Sequence, residues 1–186
     1  MSFLARLILK MIGWKLDIEV PDEKKFVLIG APHTSNWDFP LALLAFWTLD
    51  LNIKWVGKIQ MFRGPLKHLF TALGGIPVDR SAPGDFIKQI AEQFEQRDEM
   101  VLTIAPEGTR SKMSYWKSGF YYIALEAEVP ICLGFMDYTT KTIGFKQLLY
   151  PSGNLDADIK IIADFYHGLT GKYPEKQGPI RIRPNN

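Results

Sequence analysis

A turn of eight residues, Ala31-Pro32-His33-Thr34-Ser35-Asn36-Trp37-Asp38, is set between two apolar runs, Phe26 to Gly30 and Phe39 to Leu49. The first run is short and bounded, which predicts a buried strand; the second is longer and predicts the start of a helix. His33 and Asp38 therefore fall at a strand-to-helix junction. Histidine titrates near neutrality and can take up and return a proton. A carboxylate beside it fixes the tautomer and stabilises the imidazolium. The H-x-x-x-x-D spacing joins the two around a tight turn, whereas on a regular helix residues five apart diverge by ~140°. A second reading of the same residues stays open here. Ser35-x-x-Asp38 also fits a capping box, in which Asp38 caps the helix and His33 is a polar strand end.

The 186 residues suffice for one domain with a sizeable core, and 47% hydrophobic with 23% charged residues is ordinary for a globular chain. A net charge of +2 gives no argument for nucleic acid as a partner. The single cysteine, Cys132, has no partner for an internal disulfide, which points to a reducing compartment; we read it as a small core residue. No stretch reaches the ~18 uninterrupted apolar residues of a membrane span. The early apolar residues are interrupted by Arg6, Lys10 and Lys15, with no cleavage site after them, so no signal peptide is expected.

Residues 1–16 are amphipathic: Phe3, Leu4, Leu7, Ile8, Met11 and Ile12 recur at helical spacing beside three bases and no acid. Such a helix lies in a membrane interface or packs on its own domain. Ile53 to Lys58 predicts a second strand. The stretch from 54 to 80 carries Lys54, Lys58, Arg63, Lys67 and Arg80 against Asp79, a concentration that suits an anionic substrate or lipid surface, or a solvated basic face. Ile76 to Val78 predicts an edge strand because of Pro77. Arg80 follows at its end, placed to fork onto a phosphate or to pair with an acid. A covering helix is predicted over 85–99. The strand Val101 to Ile104 then runs into Pro106-Glu107-Gly108-Thr109-Arg110. Ligands bind beyond the carboxyl ends of strands in open α/β sheets. There Gly108 exposes backbone, Thr109 donates to an oxygen, and Arg110 binds phosphate. Further on, a helix over 116–128, a buried strand over 129–135, an edge strand over 141–146, a helix over 155–170 and an extended tail from Lys172 to Asn186 are expected. His68 and His167 have no ligand-like spacing and read as structural.

The chain has no G-x-x-x-x-G-K loop, G-x-G-x-x-G turn, G-x-S-x-G elbow, H-E-x-x-H or cysteine pair. Without an obvious nucleophile or metal set, a histidine base acting on a substrate hydroxyl is the economical chemistry.

Three stretches resemble, in the same order, the blocks of one family, the glycerolipid (1-acylglycerol-3-phosphate) acyltransferases. His33 to Asp38 resembles the H-x-x-x-x-D block, Gly75 to Arg80 the second block, and Pro106 to Ser111 the P-E-G-T-R-S signature. Val129-Pro130-Ile131 resembles a fourth, and Lys58 falls where members often carry lysine. The similarity runs from about residue 26 to 135. Ala105, Pro77 and Gly134 depart from the usual pattern without touching the presumed chemistry.

The resemblance implies an α/β domain with a central, mostly parallel sheet flanked by helices, over residues 17–186, preceded by a membrane-surface helix over 1–16. It implies an O-acyltransferase that moves a fatty acyl group from acyl-CoA or acyl-carrier protein to the hydroxyl of a lysophospholipid. His33 is then the general base and Asp38 its orienter; Lys58, Arg80, Glu107, Gly108, Thr109 and Arg110 form the acceptor site. No metal and no cofactor beyond the thioester co-substrate are expected, and no nucleic acid. The location implied is cytoplasmic, peripheral on the inner face of the cell membrane. The alternatives are another lysolipid acceptor such as lyso-ornithine lipid, a hydrolase with water as acceptor, and a non-catalytic protein that binds anionic lipid.

Overall fold

The computed structural model describes residues 2–49, 51, 53–78 and 83–183. The first apolar run forms β2 (Lys25–Ala31), and the strands predicted after it form β3 (Ile53–Lys58), β4 (Gly75–Val78), β5 (Met100–Ile104), β6 (Ile131–Asp137) and β7 (Thr142–Leu149). With β1 (Lys15–Ile18) they build one seven-stranded sheet in the order β1-β7-β6-β2-β5-β3-β4. Every ladder is parallel except β6 with β7. The helices are α1 (Ser2–Met11), α2 (Asp38–Phe46), α3 (Leu66–Ala72), α4 (Pro83–Glu95), α5 (Gly119–Glu126) and α6 (Leu155–Tyr166).

Strand alternation sorts β2 between two layers. Val27, Ile29 and Ala31 join a core with Ile90 and Phe94 of α4, Phe120 and Ile123 of α5, and Ile159 and Ile162 of α6. Phe26 and Leu28 face the other way, into a smaller cluster with Cys132, Phe145 and Phe46. Leu9 of α1 packs with Leu41 and Ala45 of α2 on Met136 and Ile143. β2 is thus buried on both faces and central, which delivers its carboxyl end, and the turn after it, to the middle of the sheet edge.

Two expectations are corrected. The helix predicted over 1–16 ends at Met11. Gly13 takes a left-handed φ of 78°, and the Trp14 and Gly13 amides donate to the carbonyls of Leu9 and Lys10, a Schellman stop. The chain is then free to enter β1, whose Leu16 and Ile18 alternate with Lys15 and Asp17. The strand predicted over 141–146 is not at the edge, because β1 pairs outside it from Lys15↔Thr142 to Ile18↔Phe145. Lys146 adds a 2.8 Å ion pair to Asp17. β4 does lie at the opposite edge, with Pro77 exposed, as its missing N–H requires.

Candidate active site

The turn after β2 begins with a cis Ala31–Pro32 peptide and brings His33 back toward the start of α2. His33 Nδ1 lies 3.0 Å from Asp38 Oδ2. The same oxygen accepts from the Thr34 amide at 3.0 Å and the Ser35 amide at 2.9 Å. Ser35 Oγ in turn accepts from the Trp37 amide at 3.1 Å. The two readings of the sequence are therefore one arrangement: Asp38 closes the helix-entry turn and holds His33 with the same carboxylate. Nδ1–H is donated to Asp38, so the lone pair sits on Nε2, the nitrogen left for chemistry.

Asp38 is 5% exposed. Burial alone would raise its pKa, but the bonds from His33, Tyr138 and Ser35 outweigh it and hold the carboxyl below its usual range. Tyr138, just past β6, supplies the shortest of these, its phenol donating to Asp38 Oδ1 at 2.6 Å. Glu107 lies beneath the histidine: Oε1 accepts from the His33 amide at 3.0 Å. Its Oε2 is buried without a partner among the described residues, and burial raises the carboxyl despite the bond from His33.

A cavity of about 890 Å³ opens at this point, within the range of small-molecule sites. It runs between α2 and the sheet and is walled by apolar side chains such as Phe39, Leu43, Phe46, Trp55 and Phe70. Its floor is open at Gly30 of β2, where a Cβ would meet nothing within 4 Å, beside Gly134 of β6, whose own Cβ position is crowded by Leu28. His33, Asp38, Gly108, Thr109 and Arg110 all line it. Lys58 ends β3, and Arg80 lies outside the described residues. Gly108 turns with a φ of 67°, and the Lys117 stem lies against the site where a Cβ would be, 3.0 Å away.

A family model described as Acyltransferase matches residues 17–132. The chain belongs to this acyltransferase family. No curated protein sequence matches it. Among solved structures the acyltransferase is similar to the 1-acyl-sn-glycerophosphate (LPA) acyltransferase PlsC from Thermotoga maritima. The two share 15% identity at a TM-score of 0.62, over 88% of this chain and 74% of that one. That likeness is one of fold: a mostly parallel sheet, flanked by helices, with a helix at its N-terminal end.

Three contributors to the candidate site lie beyond any motif read from the sequence. Tyr138 is one. The second is the segment after α6: the Tyr173 amide donates to Thr34 Oγ1 at 3.1 Å, and Gly171 packs so closely on Thr34 that a Cβ would lie 2.7 Å from that oxygen. Lys172 of the same segment lies over the Trp37 ring at 5.3 Å. The third is Tyr166, buried, whose phenol is shared between the carbonyls of Ile29 at 3.1 Å and Gly134 at 2.7 Å. Only the strand register hinted at the first: with Ala31 opposite Phe135, residues just past Phe135 must adjoin the His33 turn.

Among the described residues no group of three or more histidine, cysteine or acidic side chains is placed to hold a metal ion. No described helix is long and apolar enough to cross a membrane. The apolar face of α1 is nonetheless uncovered: Phe3 is 79%, Leu4 61% and Met11 69% exposed, while only Ala5 and Leu9 are buried.

Proposed function

We propose that this acyltransferase moves a fatty acyl group from a thioester, acyl-CoA or acyl-carrier protein, to the hydroxyl of a lysophospholipid such as 1-acylglycerol-3-phosphate. The observation that carries the reading is the His33–Asp38 pair opening into an apolar cavity that Arg110 also lines. His33 Nε2 takes the acceptor's hydroxyl proton as its oxygen attacks the thioester carbonyl. Asp38 steadies the imidazolium that forms. The tetrahedral intermediate collapses, the C–S bond breaks, and the imidazolium returns the proton to the departing thiolate. Arg110, with Lys58 and Arg80, binds the acceptor's phosphate, and Thr109 and Gly108 shape that subsite. The apolar cavity accommodates hydrocarbon.

A lipid acceptor resides in a membrane, and α1 gives a means of reaching it. Phe3, Leu4, Leu7 and Met11 are exposed together on a helix bearing Arg6 and Lys10. The protein then works as a peripheral enzyme on the inner face of the cell membrane, where anionic lipids attract those bases.

Thioester turnover by the purified protein tests the reading. Palmitoyl-CoA or acyl-carrier protein is supplied with a panel of lysolipids, with His33→Ala alongside. Acceptor-dependent thiol release and a diacyl product, lost in the folded variant, are expected. Near-wild-type turnover by folded His33→Ala would sink the mechanism. Thiol release with free fatty acid as product would make the protein a thioesterase.

A further inference from the structure

Tyr138 stands outside the residues that the family model matches, yet its side chain is fastened from several directions. Its neighbour Asp137 accepts from the Thr139 amide at 3.1 Å, from Thr140 Oγ1 at 2.6 Å and from the Thr170 amide at 3.2 Å. The Tyr138 amide donates to the Thr170 carbonyl at 2.8 Å. The Tyr138 ring meets Trp14 edge to face at a centroid distance of 4.9 Å. Backbone, turn and ring are all held before the phenol makes any bond. The hydroxyl then points at the one Asp38 oxygen that His33, Thr34 and Ser35 leave free.

We infer that Tyr138 is a positioning residue for acyl transfer, whose phenol sets the rotation of the Asp38 carboxylate and so aims His33 Nε2 into the cavity. The inference rests on the function proposed above. Three donors hold Oδ2, and the Tyr138 phenol holds Oδ1, where it resists the rotation about Cβ–Cγ that would draw Oδ2 off the imidazole. Bound through both oxygens, the carboxylate has one orientation, and with it the imidazole has one. The phenol also takes a share of the carboxylate's charge. Without it, the Asp38 carboxyl loses one of the bonds that hold it below its usual range and takes up a proton at a higher pH. Burial and the Asp38 bond raise the Tyr138 hydroxyl far above its ordinary range, so it stays a donor wherever the enzyme works. Among the described residues, the other titratable or charged groups about the pair are Glu107 and Arg110 after β5 and Tyr173 and Lys172 after α6; Asp137 is engaged by its own turn.

Tyr138→Phe keeps the ring against Trp14 and removes only the hydroxyl. The expected result is a fall of about 10- to 100-fold in kcat, the loss of one hydrogen bond to a charged group, with KM for the thioester little changed. The acidic limb of kcat/KM against pH moves to higher pH, which a purely structural role would not produce. In an Asp38→Asn background the same substitution costs less than about threefold, since its partner is already impaired. Wild-type kcat and an unmoved acidic limb would overturn the inference, as would an equal loss in both backgrounds. His33→Ala run in parallel separates the two levels. Turnover that survives it removes the proposed mechanism, whereas turnover that needs His33 but ignores Tyr138→Phe removes only the role of Tyr138.

Discussion

Replacing Glu107 by glutamine and by alanine separates what its shape contributes from what its charge costs. The residue is 7% exposed; Oε1 accepts from the His33 amide at 3.0 Å and Oε2 has no partner among the described residues. Alanine leaves the His33 N–H without its acceptor, a loss of about 1–3 kcal/mol. It also removes one buried methylene, worth about 0.8 kcal/mol, for a total of about 2–4 kcal/mol. Glutamine keeps the accepting oxygen and the volume but carries no charge. Burial raises the Glu107 pKa, so the folded protein holds this proton more tightly than the unfolded chain does. Such a group contributes stability below the ordinary carboxylate range, and that contribution is lost as pH rises through its folded pKa. Wild type and Glu107→Gln should therefore be nearly equal in urea denaturation at about pH 4, with the variant more stable at about pH 8. Glu107→Ala should be the least stable at the acid end, where the wild-type carboxyl is already neutral. Turnover should follow the acceptor oxygen: retained within about tenfold in Glu107→Gln, and lower in Glu107→Ala as the His33 backbone loosens. A Glu107→Gln protein less stable than wild type by more than about 1 kcal/mol at the alkaline end would refute the reasoning. It would mean that the buried carboxylate is stabilised by its surroundings.

Tyr166→Phe strips a shared donor from the Ile29 and Gly134 carbonyls. It should lower unfolding free energy by about 1–3 kcal/mol, read as a lower urea midpoint with an unchanged slope. Leu4→Asp falls on the uncovered face of α1, so stability should stay within about 0.5 kcal/mol. Sedimentation with vesicles containing anionic lipid should fall sharply; unchanged binding would place the membrane contact elsewhere. Gly30→Leu enters open space, because a Cβ there meets nothing within 4 Å. The variant should fold and shift its preference toward shorter acyl donors, and an unaltered chain-length profile would show that hydrocarbon does not occupy the cavity floor.

Much of this protein was legible in local spacing. The apolar run Phe26 to Gly30, the turn and the second apolar run specified a strand, a tight reversal and a helix, and across that reversal His33 and Asp38 meet at 3.0 Å. The amphipathic start announced a helix with an apolar face, and Pro77 announced an edge strand. These features depend on residues a few positions apart, where backbone sterics and side-chain periodicity decide the outcome. The tertiary structure decided the rest. Glu107 reaches the His33 amide across 74 positions, Tyr138 reaches Asp38 across 100, and the Tyr173 amide reaches Thr34 across 139. Lys15 and Leu16, read as the end of a helix, begin a strand because β7 offers them a ladder. Periodicity says which face of a segment is buried, but not which strand lies beside it. The groups that hold the His33–Asp38 pair in place follow from strand order, which exists only once the sheet has formed.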